Sequence, residues 1–267
     1  MNISHGAFVL ASLAVLTTSA SAERIFAVDS KAILVSFDSE SPNALTSMSV
    51  IRGLRPGESI VGIDFRPANR KLYAFSSTGR IYTLDTATGL ATAVGGGPVT
   101  GNLTGSRFCF NFNPTVDRIR ITTNTGQNLR AHPDTGALVA FDGNLNYLDG
   151  ATPNVIACAY TNSVVGATST TLYAFELSRR SLVIQNPPND GNLTGYLNIA
   201  GDFSDLTAFD ISPVANKGYV ATREIASGKV QLYAVDFMTA QSRLVGPIAS
   251  LDQITALAVE PPPASMP

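Results

Sequence analysis

The chain has 267 residues with 18 basic and 20 acidic side chains, so it is almost neutral. Charged residues make up only 14%, against about a quarter in an average soluble domain. That balance excludes a nucleic-acid footprint, which needs clustered lysine and arginine, and it suits buried strands joined by Gly, Pro, Asn, Ser and Thr turns.

Ala7 to Leu16 is an apolar run followed by Thr17-Thr18-Ser19 and then Ala20-Ser21-Ala22. A short apolar stretch ending in a small-x-small tripeptide is the pattern of a cleaved secretory signal. Cleavage after Ala22 is expected, with a secreted or periplasmic mature chain. The run is about half the ~20 residues that a membrane-crossing helix requires, so no membrane span is expected. Residues 23–260 then form one domain, and residues 261–267, opening on three prolines, a disordered tail.

Three strands are predicted first, at Arg24–Val28, Ala32–Phe37 and Leu45–Ile51. The stretch from Ser59 to Gly96 follows with four apolar runs and three turns. Val61, Ile63 and Phe65 alternate with Gly62 and Asp64, which is strand periodicity. Pro67-Ala68-Asn69-Arg70, Ser77-Thr78-Gly79 and Asp85-Thr86-Ala87-Thr88-Gly89 supply turn chemistry between the runs. This is a four-stranded antiparallel meander.

The same unit returns. With Asp64 as the mark of its first strand, the matching positions are Asn111, Ala159, Asp210 and Ala258, about 48 residues apart. A period of that length with four strands per unit is a β-propeller pattern. Complete units fall at 60–98, 108–147, 155–201 and 206–248. The three N-terminal strands lack a fourth, and Ile254–Glu260 at the other terminus supplies it. The expected fold is therefore an all-β, five-bladed β-propeller, four antiparallel strands per blade, closed by pairing of the N- and C-terminal strands. Such closure removes the exposed strand edges of an open array.

The motifs GIDFRP (Gly62–Pro67), FNPTVDRIR (Phe112–Arg120), GQNLR (Gly126–Arg130), PDTG (Pro133–Gly136), GATSTTLY (Gly166–Tyr173) and QNPPNDG (Gln185–Gly191) resemble the family called domain of unknown function 4394. The resemblance spans nearly the whole mature chain. It implies a secreted, propeller-like domain and no particular reaction.

Catalytic devices are sparse. His132 is the only histidine after the expected cleavage point, and it lies in a turn beside Pro133. A Ser-His-Asp or Cys-His arrangement needs its base held and aimed, so a solvated turn histidine is the expectation. Asp64, Asp117, Asp142, Asp190, Asp205 and Asp210 are the acid/base or Ca²⁺ candidates, and turn capping or blade contacts are their expected roles. No motif calls for a cofactor or a structural metal. Cys109 and Cys158 fall on consecutive inner strands, two residues and one residue before their marks. Alternation along a strand then points them to opposite faces, and free thiols are expected.

Two functions stay open. One is a monomeric binding or scaffold propeller for an unknown polar small molecule, glycan or protein. The other is a Ca²⁺-dependent hydrolase or lyase using carboxylates at the channel mouth. In both, the loops that lead into the inner strands form the site. Glu58, Asp205 and Asp252 stand at nearly the same step in three of these loops. Arg55 and Arg107 add positive charge, and Gln127 and Asn128 are expected to join them from a facing turn.

Overall fold

The structure, a computed structural model, describes residues 22–262 apart from 202 and 250. Residues 1–21 of the expected signal sequence and the last five residues lie outside the described residues. Blade one opens with β1 (Arg24–Asp29), β2 (Ile33–Asp38) and β3 (Ser41–Val50). Blade two holds β4 (Ile60–Phe65), β5 (Leu72–Ser76), β6 (Ile81–Leu84) and β7 (Ala91–Val94). Blade three holds β8 (Phe108–Asn113), β9 (Arg118–Thr123), β10 (Asn128–Ala131) and β11 (Leu138–Phe141). Blade four holds β12 (Val155–Tyr160), β13 (Leu172–Glu176), β14 (Ser181–Gln185) and β15 (Leu193–Asn198). Blade five holds β16 (Thr207–Ile211), β17 (Gly218–Arg223), β18 (Val230–Asp236) and β19 (Gln241–Pro247), and β20 (Ile254–Val259) follows.

Each blade is a four-stranded antiparallel sheet. β20 pairs with β1, with Ile25 opposite Val259 and Ala27 opposite Leu257. It is therefore the innermost strand of blade one, and the ring is closed by the two ends of the chain as expected. Glu23, just before β1, ties blade one to blade five, because its carboxylate accepts hydrogen bonds from Ser212 and Tyr219. The fold is a five-bladed β-propeller.

The core is divided by the blades. Five apolar clusters stand at the five blade interfaces, for example Phe26, Val28 and Leu34 of blade one against Ile60, Ile63 and Tyr82 of blade two. No blade buries both of its faces alone, so each depends on its neighbours. The inner strands are buried along almost their whole length, while outer strands such as β11 and β19 alternate with solvent.

Inner-strand hydrogen bonds confirm the repeat. The N–H of Phe112 donates to Asp64 Oδ2 at 2.6 Å, that of Tyr160 to Asn111 Oδ1 at 2.9 Å, and that of Val259 to Asp210 Oδ2 at 2.7 Å. Each acceptor is a mark residue, and each donor lies one residue past the mark of the following inner strand.

The cysteine expectation is corrected by this geometry. Cys109 and Cys158 are joined in a disulfide, with Cα atoms 5.1 Å apart. The repeat alignment stands, but the inference drawn from it does not. Successive blades meet through opposite faces, so residues that touch across an interface have opposite parity in the repeat. Asn111 is level with Tyr160, and Cys109, two residues earlier, is level with Cys158.

The tail expectation concerns residues 261–267, of which only Pro261 and Pro262 are described. Their carbonyls accept hydrogen bonds from the Arg70 guanidinium of blade two.

Candidate functional site

The axis of the ring is closed. Gly62, Phe108, Phe110, Cys158, Phe209 and Leu257 are among the residues that leave a space of about 20 Å³ there, against the ~10–15 Å³ that one water needs, so nothing larger than a water fits. A side chain on Gly62 would place Cβ 2.6 Å from the Cβ of Phe110. Beside this plug lie Asp64, Asn111 and Asp210, all nearly inaccessible to solvent. Asn111 Nδ2 also reaches across the axis to Asp210 Oδ1, at 3.4 Å.

Burial pushes Asp210 up to about 7, against the opposing pull of the Val259 and Ile211 N–H groups. Burial also pushes Asp64 well above the usual carboxylate range, and the nearby Asp210 charge adds to it. The buried acids of the axis therefore hold their protons far longer than surface acids, which is the desolvation effect on a charged form.

The mouth formed by the loops leading into the inner strands has a different character. Arg107, just before β8, donates from Nε to the Asp205 carbonyl at 2.8 Å and from Nη2 to Asp205 Oδ2 at 2.7 Å. Asp205 precedes β16, so this clasp joins blades three and five across the ring. The Asp205 side chain is 60% exposed. Asp252, before β20, pairs with Lys31 of the β1–β2 turn, and the hydrogen bond from Lys31 holds its pKa below the usual value. Arg55 is exposed, and its backbone N–H donates to Glu58.

Glu58 stands apart from these acids. Its side chain is 2% exposed, and it accepts hydrogen bonds from Thr78 and Tyr82 of its own blade. Burial alone would raise its pKa, but those bonds, the Arg55 N–H and the Arg80 charge outweigh burial and lower it. Gln127 joins the mouth as a splint: Nε2 donates to the Asn102 carbonyl and Oε1 accepts from the Thr104 N–H, both at 2.7 Å.

Asn128 does not join the others. It is 1% exposed, and its Nδ2 donates to the carbonyls of Gly143 and Pro188, both at 2.9 Å, between blades three and four. Alternation along β10 turns it there, one residue after Gln127. Its Oδ1 accepts from Arg120, which also contacts Asp142 at 2.5 Å. The sequence reading assigned no role to Arg120. The signal available was the Arg-Ile-Arg-Ile alternation of β9, which puts both arginines on one face.

The remaining acids have local duties. Asp117 and Asp134 pair with Arg66 between blades two and three. His132 Nδ1 accepts from the Asp134 N–H at 3.2 Å within its turn. Among the described residues there is no group of three or more His, Cys, Asp and Glu that could hold a metal ion, and no helix long and apolar enough to cross a membrane.

Fold and site together define a five-bladed propeller with a plugged axis and a polar mouth. The sequence matches the family described as Domain of unknown function (DUF4394) over residues 33–258, and the chain belongs to that family. No curated protein matches the sequence. Among solved structures, the chain is similar to one in a nidogen/laminin complex, with 13% identity, a TM-score of 0.48, and coverage of 90% of this chain and 98% of that one. It is also similar to the Dos1 propeller, with 13% identity, a TM-score of 0.45, and coverage of 83% of this chain and 57% of that one. The hydrazine synthase of Kuenenia stuttgartiensis is a third, with 11% identity, a TM-score of 0.39, and coverage of 74% of this chain. This chain spans 51% of that hydrazine synthase chain. The propeller assignment rests on the strand topology itself.

Proposed function

We propose that this protein is an extracytoplasmic binding or scaffold module that recognises a polar small molecule, glycan or protein at its mouth. The observation that carries this reading is the Arg107–Asp205 clasp, an exposed charged pair spanning the ring above a sealed axis. A partner meets that face from outside, and the exposed Asp252 and Arg55 border it. Glu58 is withdrawn from the contact set because its carboxylate is enclosed. The carboxylates with the largest upward pKa shifts, Asp64 and Asp210, are sealed beside the plug, where no substrate reaches them. That placement favours recognition over carboxylate catalysis.

Export is part of the proposal. It is supported by the apolar run before Ala20-Ser21-Ala22 and by the Cys109–Cys158 bond, since disulfides persist in oxidising compartments. N-terminal sequencing of protein recovered outside the cytoplasm should start at Glu23. A chain retained in the cytoplasm with its first 22 residues rejects export.

The binding face is tested with a triple variant, Arg107→Gln, Asp205→Asn and Asp252→Asn. Wild-type protein is titrated with Ca²⁺ by calorimetry and screened on a glycan array. Saturable binding that vanishes in the variant, at a nearly unchanged Tm, is expected. Equal binding by both proteins, or none by wild type in either assay, rejects the mouth as a cation or glycan site.

A further inference from the structure

Arg118-Ile119-Arg120-Ile121 in β9 and Asn128-Leu129-Arg130-Ala131 in β10 alternate strictly. Ile119, Ile121, Leu129 and Ala131 pack into the core shared with blade two. The intervening side chains, three arginines among them, are therefore turned toward blade four. Arg120 and Arg130 are directly opposed across the two strands, an arrangement of like charges that is unfavourable without compensation.

The compensation is a single carboxylate. Asp142 accepts from Arg120 at 2.5 Å and, through both oxygens, from Arg130 Nε and Nη2 at 2.8 Å. Arg120 gives Nη2 to Asn189 Oδ1 at 2.6 Å. Arg118 hydrogen-bonds to the carbonyls of Val116 and Asp117. Asp142 engages Arg130 along one edge of the guanidinium, leaving Nη1 outside that pairing.

These arginines line a cleft of about 220 Å³ with Val116, Tyr160 and Pro188. That is far more than the ~10–15 Å³ a single water needs, and it gives room for a small organic acid of about six carbons. Arginine forks match the flat geometry of a carboxylate and donate to it in pairs. The apolar and aromatic walls require an organic body behind the charge, which a bare inorganic anion lacks.

We propose that the cleft between blades three and four binds a small organic carboxylate of hexuronate size, its charge held by Arg118 and Arg130 and its body lying against Val116, Tyr160 and Pro188. Arg120 is the positioning residue, because it ties Asp142, Asn128 and Asn189 together and so fixes the cleft floor. The site is separate from the mouth and independent of the function proposed for it.

Calorimetric titration of the mature protein with galacturonate tests the proposal, with galactose as the neutral twin and inorganic phosphate as the compact anion. Galacturonate should bind saturably, and galactose and phosphate each about tenfold more weakly or worse, since loss of a charge-assisted hydrogen bond is worth about a factor of ten or more. Arg118→Gln and Arg130→Gln should each weaken galacturonate by a similar factor. Arg118 hydrogen-bonds to the carbonyls of its own turn and is absent from the Arg120–Asp142 network, so its variant keeps the fold even if Arg130→Gln does not. Failure of wild type to bind galacturonate, or equal affinity in Arg118→Gln, overturns the site. Phosphate binding as tight as galacturonate overturns the carboxylate assignment. The Arg107, Asp205 and Asp252 triple variant should bind galacturonate as wild type does, and loss of binding there refutes the cleft as the location.

Discussion

The two faces of blade three are built from the same strands and have opposite chemistry. Toward blade two, Phe108, Phe110, Phe112, Ile119 and Ile121 form an apolar wall. Phe75 of blade two stacks on Phe110 with centroids 5.5 Å apart and meets Phe108 edge-on at 5.8 Å, while Tyr73 meets Phe112 at 5.1 Å. Toward blade four, the residues between them are Cys109, Asn111, Arg118 and Arg120. They enter a disulfide, an axial hydrogen bond, backbone contacts and a buried ion network. Period-two alternation ordinarily separates an apolar inside from a polar outside. Here both sides lie against another blade, and the polar side is held by specific bonds in place of area.

The apolar face should be the easier one to break. Phe75 is fully buried between two phenylalanines, and Phe75→Ala should cost about 3–5 kcal/mol. Denaturant unfolding should show a lower midpoint at unchanged slope. A change below about 0.5 kcal/mol, within the range of ordinary surface substitutions, would remove the aromatic wall as a main source of stability.

On the polar face the corresponding break is the double replacement Cys109→Ser and Cys158→Ser. The bond closes a loop with a sequence separation of 49, and its removal should cost about 2–4 kcal/mol. Wild type in reductant should approach the double variant. A melting temperature that responds to neither change would leave the polar face to its hydrogen bonds alone.

A subtler probe is the contact of Gly62 with blade three. Gly62→Ala puts Cβ 2.6 Å from Phe110 Cβ, a near-backbone atom that cannot swing away. Overpacking of this kind costs about 1–3 kcal/mol. An alanine variant as stable as wild type would show that blades two and three slide apart without loss.

The effect at the axis is conditional on pH, and blade three carries there an amide at the position that blades two and five fill with acids. Asp210 has a folded pKa of about 7, while the unfolded chain releases that proton near its ordinary value of about 4. Its stabilising proton is fully present below the unfolded value and is lost as pH rises toward the folded one. Asp210→Asn imitates Asn111 and removes the titration. Its plot of Tm against pH should be flatter between those values, so the variant gains on wild type as pH rises. Parallel curves for the two proteins would count against a raised pKa at this position.

Much of the architecture was legible in the residues. Turn chemistry at Asp85–Gly89, alternation through Gly62–Phe65 and the recurrence of the mark residues located the blades, because these signals are local. The C-terminal strand was found by counting, since three N-terminal strands need a fourth. The mouth was legible in part. Arg107 and Asp205 do meet, but Glu58 looked like Asp252 in the sequence and differs in the fold, because Tyr82 and Thr78 of its own blade cover it. Asn128 was misplaced because adjacent residues of a strand face different neighbours.

By itself the sequence determined the unit length, the number of blades and the closure of the ring, all of which follow from short-range pattern and repetition. Only the tertiary structure decided which face of one blade meets which face of the next. That choice joined Cys109 to Cys158, gathered Arg120 and Arg130 around Asp142 and sealed Asp64 and Asp210 beside the plug. Its physical reason is that blades related by rotation about one axis present opposite faces to each other, so partners across an interface share neither sequence position nor parity.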